Sequence, residues 1–276
     1  NKFIKKTMSC LLYPLRYILP KRYIIFSGTT HINYNGNCRY LFEYLSKHSC
    51  YKVFWFTRST IVKKYLKEHN LNQLSYSNPI KLVIISAMAK IVINDGDDYL
   101  SIFGLSDTKS TIKISLFHGF GPKITLYDKT KNIRIRRINR FDYVNFTSEY
   151  LATKVSREIF GLPSKKVKVL GFPRNDLFFD KTKAEKLLID KKIISRLCKG
   201  IINKPSKVIL YTPTWRPYEY NLPIMDLPGF NGKVFNDFLY DNNILFLYTI
   251  HSANPPKNYL KTSSNIIYID SKYSFY

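Results

Sequence analysis

The sequence predicts an α/β protein built on doubly wound parallel sheets. Short apolar runs, typical of buried strands, alternate along the chain with segments of helical periodicity. Several of the apolar runs end in glycine, histidine or arginine, as expected where parallel strands open onto a ligand crevice. A chain of 276 residues, 45% of them hydrophobic, is long enough for one large core or two modest ones.

The first part of the chain predicts a series of strands followed by helices. The helices have apolar residues three or four positions apart, and Asn78 before Pro79 is a typical helix start. The predicted strands are residues 23–26, 53–56, 91–94, 113–117, 141–146 and 166–170, and the predicted helices are residues 37–47, 61–69, 79–90 and 148–161. His69 ends a helical pattern, so we interpret it as a helix-end residue rather than a ligand.

A charged helix and a Lys-Pro-Ser connector over residues 180–205 suggest a boundary between two domains. Three further strands are predicted beyond it, at residues 207–211, 244–250 and 266–270. The expected organisation is a basic amphipathic segment (1–22), an N-terminal domain (23–180), a linker helix (181–205) and a C-terminal domain (206–276). The chain starts at Asn1 and stops at Tyr276 soon after a strand, so we expect both ends to be cut from something longer.

The stretch from Lys113 to Lys123 is the strongest candidate for chemistry. An apolar strand ends there in His118, and Gly119 and Gly121 let the backbone turn where a Cβ would block a ligand. The alternative is that His118 is an ordinary hydrogen-bonded loop histidine.

Three other strand ends carry polar residues of the same kind. Gly-Phe-Pro-Arg-Asn-Asp presents Arg174, and Thr-Pro-Thr-Trp-Arg presents Thr214 and Arg216. The strand predicted at residues 244–250 ends in His251. These loops are expected at the carboxyl edges of parallel sheets, where ligands bind.

Metal and cysteine patterns are weak. The run from Asp95 to Asp98 could form a metal cluster, but glycine and aspartate after a strand more often form a turn. Four cysteines lack the CxxC spacing of a zinc site, and they favour a reducing, cytoplasmic setting over a disulfide framework.

The charge implies an anionic partner. Forty-four Lys and Arg against 19 Asp and Glu give a net charge of +25, which suits nucleic acid, anionic lipid or a phosphorylated substrate. Residues 1–22 mix apolar and basic side chains and could lie on an anionic bilayer, while a cap on the protein's own core is the alternative. The dense basic run at residues 129–140 could steer an anionic chain or be a solvated face. Within residues 1–26, prolines and bases break up any apolar stretch of the roughly 18 residues that a membrane span needs, so no membrane span is predicted.

Taken in order, these loops resemble the CDP-glycerol glycerophosphotransferase family, which builds teichoic acids and related capsule polymers. The resemblance covers roughly residues 20–276. It implies a GT-B fold, in which two Rossmann-like domains face a cleft, here with an incomplete C-terminal domain. It further implies a CDP-glycerol or CDP-ribitol donor, a lipid-linked acceptor whose hydroxyl attacks the phosphorus bearing the polyol, and release of CMP at the cytoplasmic membrane face.

The resemblance also assigns roles to residues. His118 matches the family's general base, and the substrate-binding residues implied are Gly119, Lys123, Arg174, Thr214, Arg216 and His251. Two features depart from the family pattern, because residues 252–254 separate His251 from its proline and the sequence ends before the family's Asp-Tyr-Ser-Ser loop. No DxD-type metal motif lies near these residues, and a divalent metal is left open.

Two other functions compete with this one. Another GT-B transferase, using a nucleotide sugar, would share the fold and the cleft. A non-catalytic protein that binds RNA or an anionic polymer would need aromatic and basic residues interleaved on one surface. The aromatic residues fall largely inside strand-like runs instead, so we expect no nucleic-acid partner.

Overall fold

The computed structural model describes residues 14–28, 31–96, 108–117, 119, 131–179, 205–213, 223–250 and 259–269. The chain divides into two compact units, residues 1–179 and residues 180–276. No helix among the described residues is long and apolar enough to cross a membrane.

The first unit is built on a sheet of seven strands, all paired in parallel, in the order β3-β2-β1-β4-β5-β6-β7. The strands are β1 (Tyr23–Ser27), β2 (Val53–Phe56), β3 (Gln73–Leu74), β4 (Ala89–Asn94), β5 (Ile112–Ser115), β6 (Tyr143–Phe146) and β7 (Val167–Val169). The strand order reverses between β1 and β4, and such a reversal opens a crevice beyond the carboxyl ends of the two strands.

Helices connect these strands. They are α1 (Leu15–Ile18), α2 (Gly36–His48), α3 (Thr60–Glu68), α4 (Pro79–Ala87), α5 (Lys131–Ile138) and α6 (Glu149–Leu151), and α6 continues as a π-helix (Ala152–Ile159). Two 3₁₀ turns flank β7, at Ser164–Lys166 and Pro173–Phe178. Side-chain caps start α3 and α4, where Ser59 accepts a hydrogen bond from the Val62 N–H and Asn78 accepts one from the Lys81 N–H.

The core of the first unit lies on both faces of the sheet. The central strands β1 and β2 are almost entirely buried, as expected for parallel strands covered on both sides. One cluster packs Phe54 and Phe56 against Leu82 of α4. A second cluster packs Phe117, Ile138 and Val144 together with neighbouring residues.

The second unit contains a parallel three-stranded sheet in the order β10-β9-β8. Its described elements are β8 (Lys207–Tyr211), a 3₁₀ turn (Ile224–Asp226), α7 (Gly232–Asp241), β9 (Ile244–Tyr248) and β10 (Ile266–Tyr268). The Asn231 side chain caps α7 by accepting from the Lys233 and Val234 N–H groups. The middle strand β9 is buried along its whole length.

The predicted α/β class with parallel sheets is confirmed, and His69 is the C-cap of α3 as predicted. Several details differ. The predicted helix at residues 148–161 is mostly π-helix, β3 was not predicted because two residues show no periodicity, and β5 ends at Ser115. Leu116 and Phe117 therefore lie beyond β5, in the connection that leads to His118.

Candidate functional site

A cavity of about 600 Å³ opens at the carboxyl edge of the first sheet. Its walls come from the segments that follow β1, β4 and β7, which converge because all three strands run in the same direction. The lining residues are Asn33, Asn35, Gly36, Tyr40, Asp95, Arg174, Asn175 and Phe178. Amide and phenol groups, one carboxyl and one guanidinium give the cavity both donors and acceptors.

Arg174 follows β7 and lies beside the backbone of Gly119. Its Nη2 atom is 3.3 Å from the position that a Cβ on Gly119 would occupy. The guanidinium also lies over the Phe172 ring, with Cζ 5.2 Å from the ring centroid. Gly119 has a φ of +131°, where side chains are rarely tolerated. Glycine at this position therefore suits both the backbone conformation and the close approach of Arg174.

The turn before His118 is held in an unusual conformation. Phe117 has a φ of +55°, which is uncommon for a residue other than glycine, and its side chain is buried. Its carbonyl oxygen accepts a hydrogen bond of 2.6 Å from Asn37 Nδ2, and its N–H donates to Ser115 Oγ at 3.3 Å. These bonds fix the direction in which the chain leaves Phe117.

Asp95, at the end of β4, is hydrogen-bonded to the first turn of α2. Its two carboxylate oxygens accept from the Cys38 N–H at 2.9 and 3.1 Å, and the residue is 1% exposed. Burial raises the pKa of the Asp95 carboxyl to about 7, while the Cys38 N–H and the positive charge of Arg174 act in the opposite direction. Gly36 lies against the same carboxylate, with a φ of +72° and no room for a Cβ beside Asp95 Oδ2. Asp95 thus anchors a helix end that forms one wall of the cavity.

Comparison with known proteins shows the family of this chain. A family model described as CDP-Glycerol:Poly(glycerophosphate) glycerophosphotransferase matches residues 11–276. The chain belongs to this family. The resemblance inferred from the order of the loops is thereby confirmed.

The curated relatives of this family member are longer than the chain. A teichoic acid poly(glycerol phosphate) polymerase of Bacillus subtilis is 25% identical over 261 residues, which cover 87% of this chain and 33% of the relative. A teichoic acid glycerol-phosphate transferase of Staphylococcus aureus is 25% identical over 218 residues, covering 73% and 52%. The chain therefore spans between a third and about half of these two relatives.

Solved structures show the same fold. The wall teichoic acid polymerase TagF superposes with a TM-score of 0.65 at 18% identity, over 95% of this chain and 65% of that one. A UDP-GlcNAc 2-epimerase from Neisseria meningitidis, bound to UDP-GlcNAc, gives a TM-score of 0.56 at 14% identity, over 90% and 72%. The predicted GT-B-like architecture is confirmed by the match to TagF, and at these identities the likeness concerns the fold alone.

Two of the predicted site residues, Gly119 and Arg174, lie side by side, and Arg174 lines the cavity. The others, His118, Lys123, Thr214, Arg216 and His251, fall outside the described residues, and their roles stay predictions. Asp97 and Asp98 of the possible metal run also fall outside. Among the residues that the structure describes, no group of three His, Cys, Asp or Glu side chains could hold a metal ion.

Sequence reasoning missed Asn37 and Gly36, both in the first turn of α2. The loop before this helix is polar and contains two glycines, but it has neither GxGxxG nor a P-loop lysine. The only available signal was the Asn-Gly-Asn sequence at a helix start, which is typical of any capped helix. The function of Asn37 depends on Phe117, 80 residues later in the chain.

Proposed function

We propose that this protein transfers glycerol phosphate, or ribitol phosphate, from a CDP-activated polyol to a hydroxyl group of a lipid-linked acceptor, releasing CMP. The product is a teichoic acid or a related capsule polymer. The observation that carries the proposal is the position of Arg174 against Gly119, the residue that directly follows His118. In a member of a family named for CDP-glycerol transfer, a guanidinium beside the residue that follows the candidate base in sequence suits a phosphorylated substrate.

In the proposed reaction, His118 accepts the proton of the acceptor hydroxyl as its oxygen attacks the phosphorus that carries the polyol. The bond from that phosphorus to the bridging oxygen of the diphosphate breaks, and CMP leaves with the bridging oxygen. An imidazole has an ordinary pKa of about 6.5 and can accept a proton at neutral pH, which typically speeds a reaction by about a hundred- to ten-thousandfold. Lys123 and Arg216 would stabilise the charge on the phosphoryl oxygens.

We assign the acceptor to the cavity of the first unit. A polyol phosphate chain offers hydroxyl groups and one negative charge for each phosphodiester. The amides of Asn33, Asn35 and Asn175 and the hydroxyl of Tyr40 match the former, and Arg174 matches the latter. The donor would bind the second unit through Thr214, Arg216 and His251.

We also propose peripheral binding to the anionic cytoplasmic face of the membrane. The packed helices α1 and α4 expose Ile18 and Ile80, each 74% exposed, and Tyr17 lies beside Ile18 in sequence. The exposed Arg22 follows α1, and Lys81 is on α4, so bases accompany this apolar surface. Each base near an anionic surface contributes on the order of 1 kcal/mol. Equal sedimentation with neutral and anionic vesicles at low salt would contradict this proposal.

The decisive experiment measures CMP release from CDP-glycerol, CDP-ribitol and a nucleotide sugar, with a lipid-linked acceptor and with or without divalent metal. We expect turnover with a CDP-polyol and a loss of about two to four orders of magnitude in kcat for His118→Ala. Release of a nucleotide from the nucleotide sugar, with none from either CDP-polyol, would favour a glycosyltransferase. Turnover of His118→Ala near that of the wild type would remove His118 from the mechanism.

A further inference from the structure

We propose that Asn37 is a positioning residue that holds the segment leading to His118 and the loop carrying Arg174 in one fixed arrangement. This inference rests on the proposed function. Asn37 is fully buried in the first turn of α2. Its Nδ2 donates to the Phe117 carbonyl oxygen at 2.6 Å, and its Oδ1 accepts from the Arg174 N–H at 3.5 Å. One amide thus joins the connection after β5 to the loop after β7.

The contact with Phe117 matters because of the backbone conformation there. A left-handed conformation is strained for a residue other than glycine, so neighbouring groups must hold it in place. The Phe117 N–H donates to Ser115 Oγ, the Phe117 carbonyl accepts from Asn37, and the buried phenyl ring packs against Phe160. The carbonyl that Asn37 holds belongs to the peptide bond that joins Phe117 to His118. Asn37 therefore acts on the backbone immediately before the candidate base.

The contact with Arg174 is supported from the other side by a second buried amide. Asn145 in β6 donates to the Gly171 carbonyl at 2.5 Å and accepts from the Leu170 N–H at 3.1 Å. The loop after β7 is thus held by Asn145 where it leaves the strand and by Asn37 where it meets α2. The two asparagines resemble each other in burial and bonding, but the bonds of Asn145 belong to this loop, whereas those of Asn37 join two loops.

Joining the loops has a consequence for catalysis. A misplacement of about 1 Å between reacting groups can lower a rate by about a hundredfold, even when binding survives. Asn37 sits on a 13-residue helix whose start is fixed by Asp95, so it is a rigid reference for both loops. Loss of the hydrogen-bond donor of Asn37 should change the geometry of the His118 segment relative to Arg174 more than it changes the binding of CDP-glycerol.

The test uses Asn37→Asp in the whole protein. The aspartate keeps an oxygen for the Arg174 N–H but replaces the donor to the Phe117 carbonyl with a second oxygen. We expect kcat for CMP release to fall by about ten- to a hundredfold while KM for CDP-glycerol stays within about threefold. Hydrogen exchange should become faster in peptides covering residues 112–119. Asn37→Ser, smaller and uncharged, is the second variant and should show the same pattern if the aspartate prevents folding.

Two controls make the result specific. Asn145→Asp should speed exchange around residues 167–179 and leave residues 112–119 unchanged. Ser46→Ala removes another side-chain bond of α2, from Ser46 Oγ to the Phe42 carbonyl, and should leave both kcat and exchange at residues 112–119 as in the wild type.

The outcomes separate the two proposals. If the wild type releases no CMP from any donor, the proposed function fails, and the exchange at residues 112–119 alone decides whether Asn37 positions this segment. Unchanged exchange there in both Asn37 variants overturns the positioning role. A raised KM for CDP-glycerol with an unchanged kcat also overturns the positioning role, because Asn37 would then contribute to substrate binding rather than to geometry.

Discussion

Asp95 and Arg174 both follow strands of the first sheet, and both line the same cavity, yet their surroundings differ. Asp95 is 1% exposed, and its carboxylate accepts from the Cys38 N–H at the start of α2. Arg174 is partly exposed, and its guanidinium lies against Gly119 and over the Phe172 ring. The Asp95 carboxylate stabilises the fold, whereas the Arg174 guanidinium faces the cavity.

A charged residue at a strand end is therefore a functional candidate only when the protein does not already use its hydrogen-bonding groups. The sequence favoured a turn over a metal site for the Asp95 run, and the family resemblance implied substrate binding for Arg174. A buried carboxylate that accepts backbone N–H groups at a helix start has a structural explanation.

The largest effect is expected from Gly36→Ala. The new Cβ would collide with Asp95 Oδ2 and would also require a left-handed alanine at a φ of +72°. The backbone cost is about 1–2 kcal/mol, and displacing the buried carboxylate from α2 adds about 1–3 kcal/mol. We expect a loss of roughly 3–4 kcal/mol in the free energy of unfolding of the first unit. Urea unfolding followed by Trp55 fluorescence in a Trp215→Phe background measures it.

Gly161→Ala is the matched control for this prediction. Gly161 has a φ of +60°, and nothing lies within 4 Å of the position that its Cβ would occupy. Only the backbone cost of about 1–2 kcal/mol should remain. Equal losses in the two variants would mean that Asp95 does not hold α2 as described.

The positions of these strand-end residues were partly predictable from the sequence. Parallel strands bring their carboxyl ends to one edge, so the sequence could place Arg174 near Gly119 from the alternation of strands and helices alone. It could not assign Asn37 or Asp95, since their roles depend on partners in distant segments and on burial. The π-helix after α6 was also out of reach, because α and π turns have nearly the same apolar spacing over so short a segment.

An intermediate effect is expected from Asp95→Asn, as a dependence of stability on pH. Burial raises the pKa of the Asp95 carboxyl from 3.8 to about 7. Between these values the folded protein keeps a proton that the unfolded chain releases, so this contribution is complete below about pH 4 and is lost as the pH rises to about 7. From pH 5 to pH 7 the wild type should lose roughly 2–3 kcal/mol relative to the variant, at about 1.4 kcal/mol for each pH unit.

Urea unfolding at pH 5, 6 and 7 tests this, again with Trp55 as the probe. The difference between wild type and Asp95→Asn should grow steadily over this interval and stay constant above pH 8. If the free energies of unfolding of the two proteins change equally between pH 5 and pH 7, the Asp95 carboxyl already carries its charge at pH 5. In that case α2 is held by a charged rather than a protonated group.

The smallest effect in free energy is expected from Arg174→Lys, and it should appear in activity alone. Lysine keeps the positive charge but replaces a planar fork, which can bind a phosphate through two parallel bonds, with a point charge on a flexible stem. We expect kcat/KM for the acceptor to fall about tenfold, equivalent to about 1.4 kcal/mol, with a change in unfolding free energy below about 0.5 kcal/mol. Arg157→Lys is the control, since Arg157 is exposed and its Nη2 donates to Ser164 Oγ at 3.0 Å. If Arg174→Lys instead lowers stability and leaves kcat/KM unchanged, then Arg174 belongs with Asp95 among the residues that hold the fold, and the cavity must recognise its substrate through the amides and the Tyr40 hydroxyl.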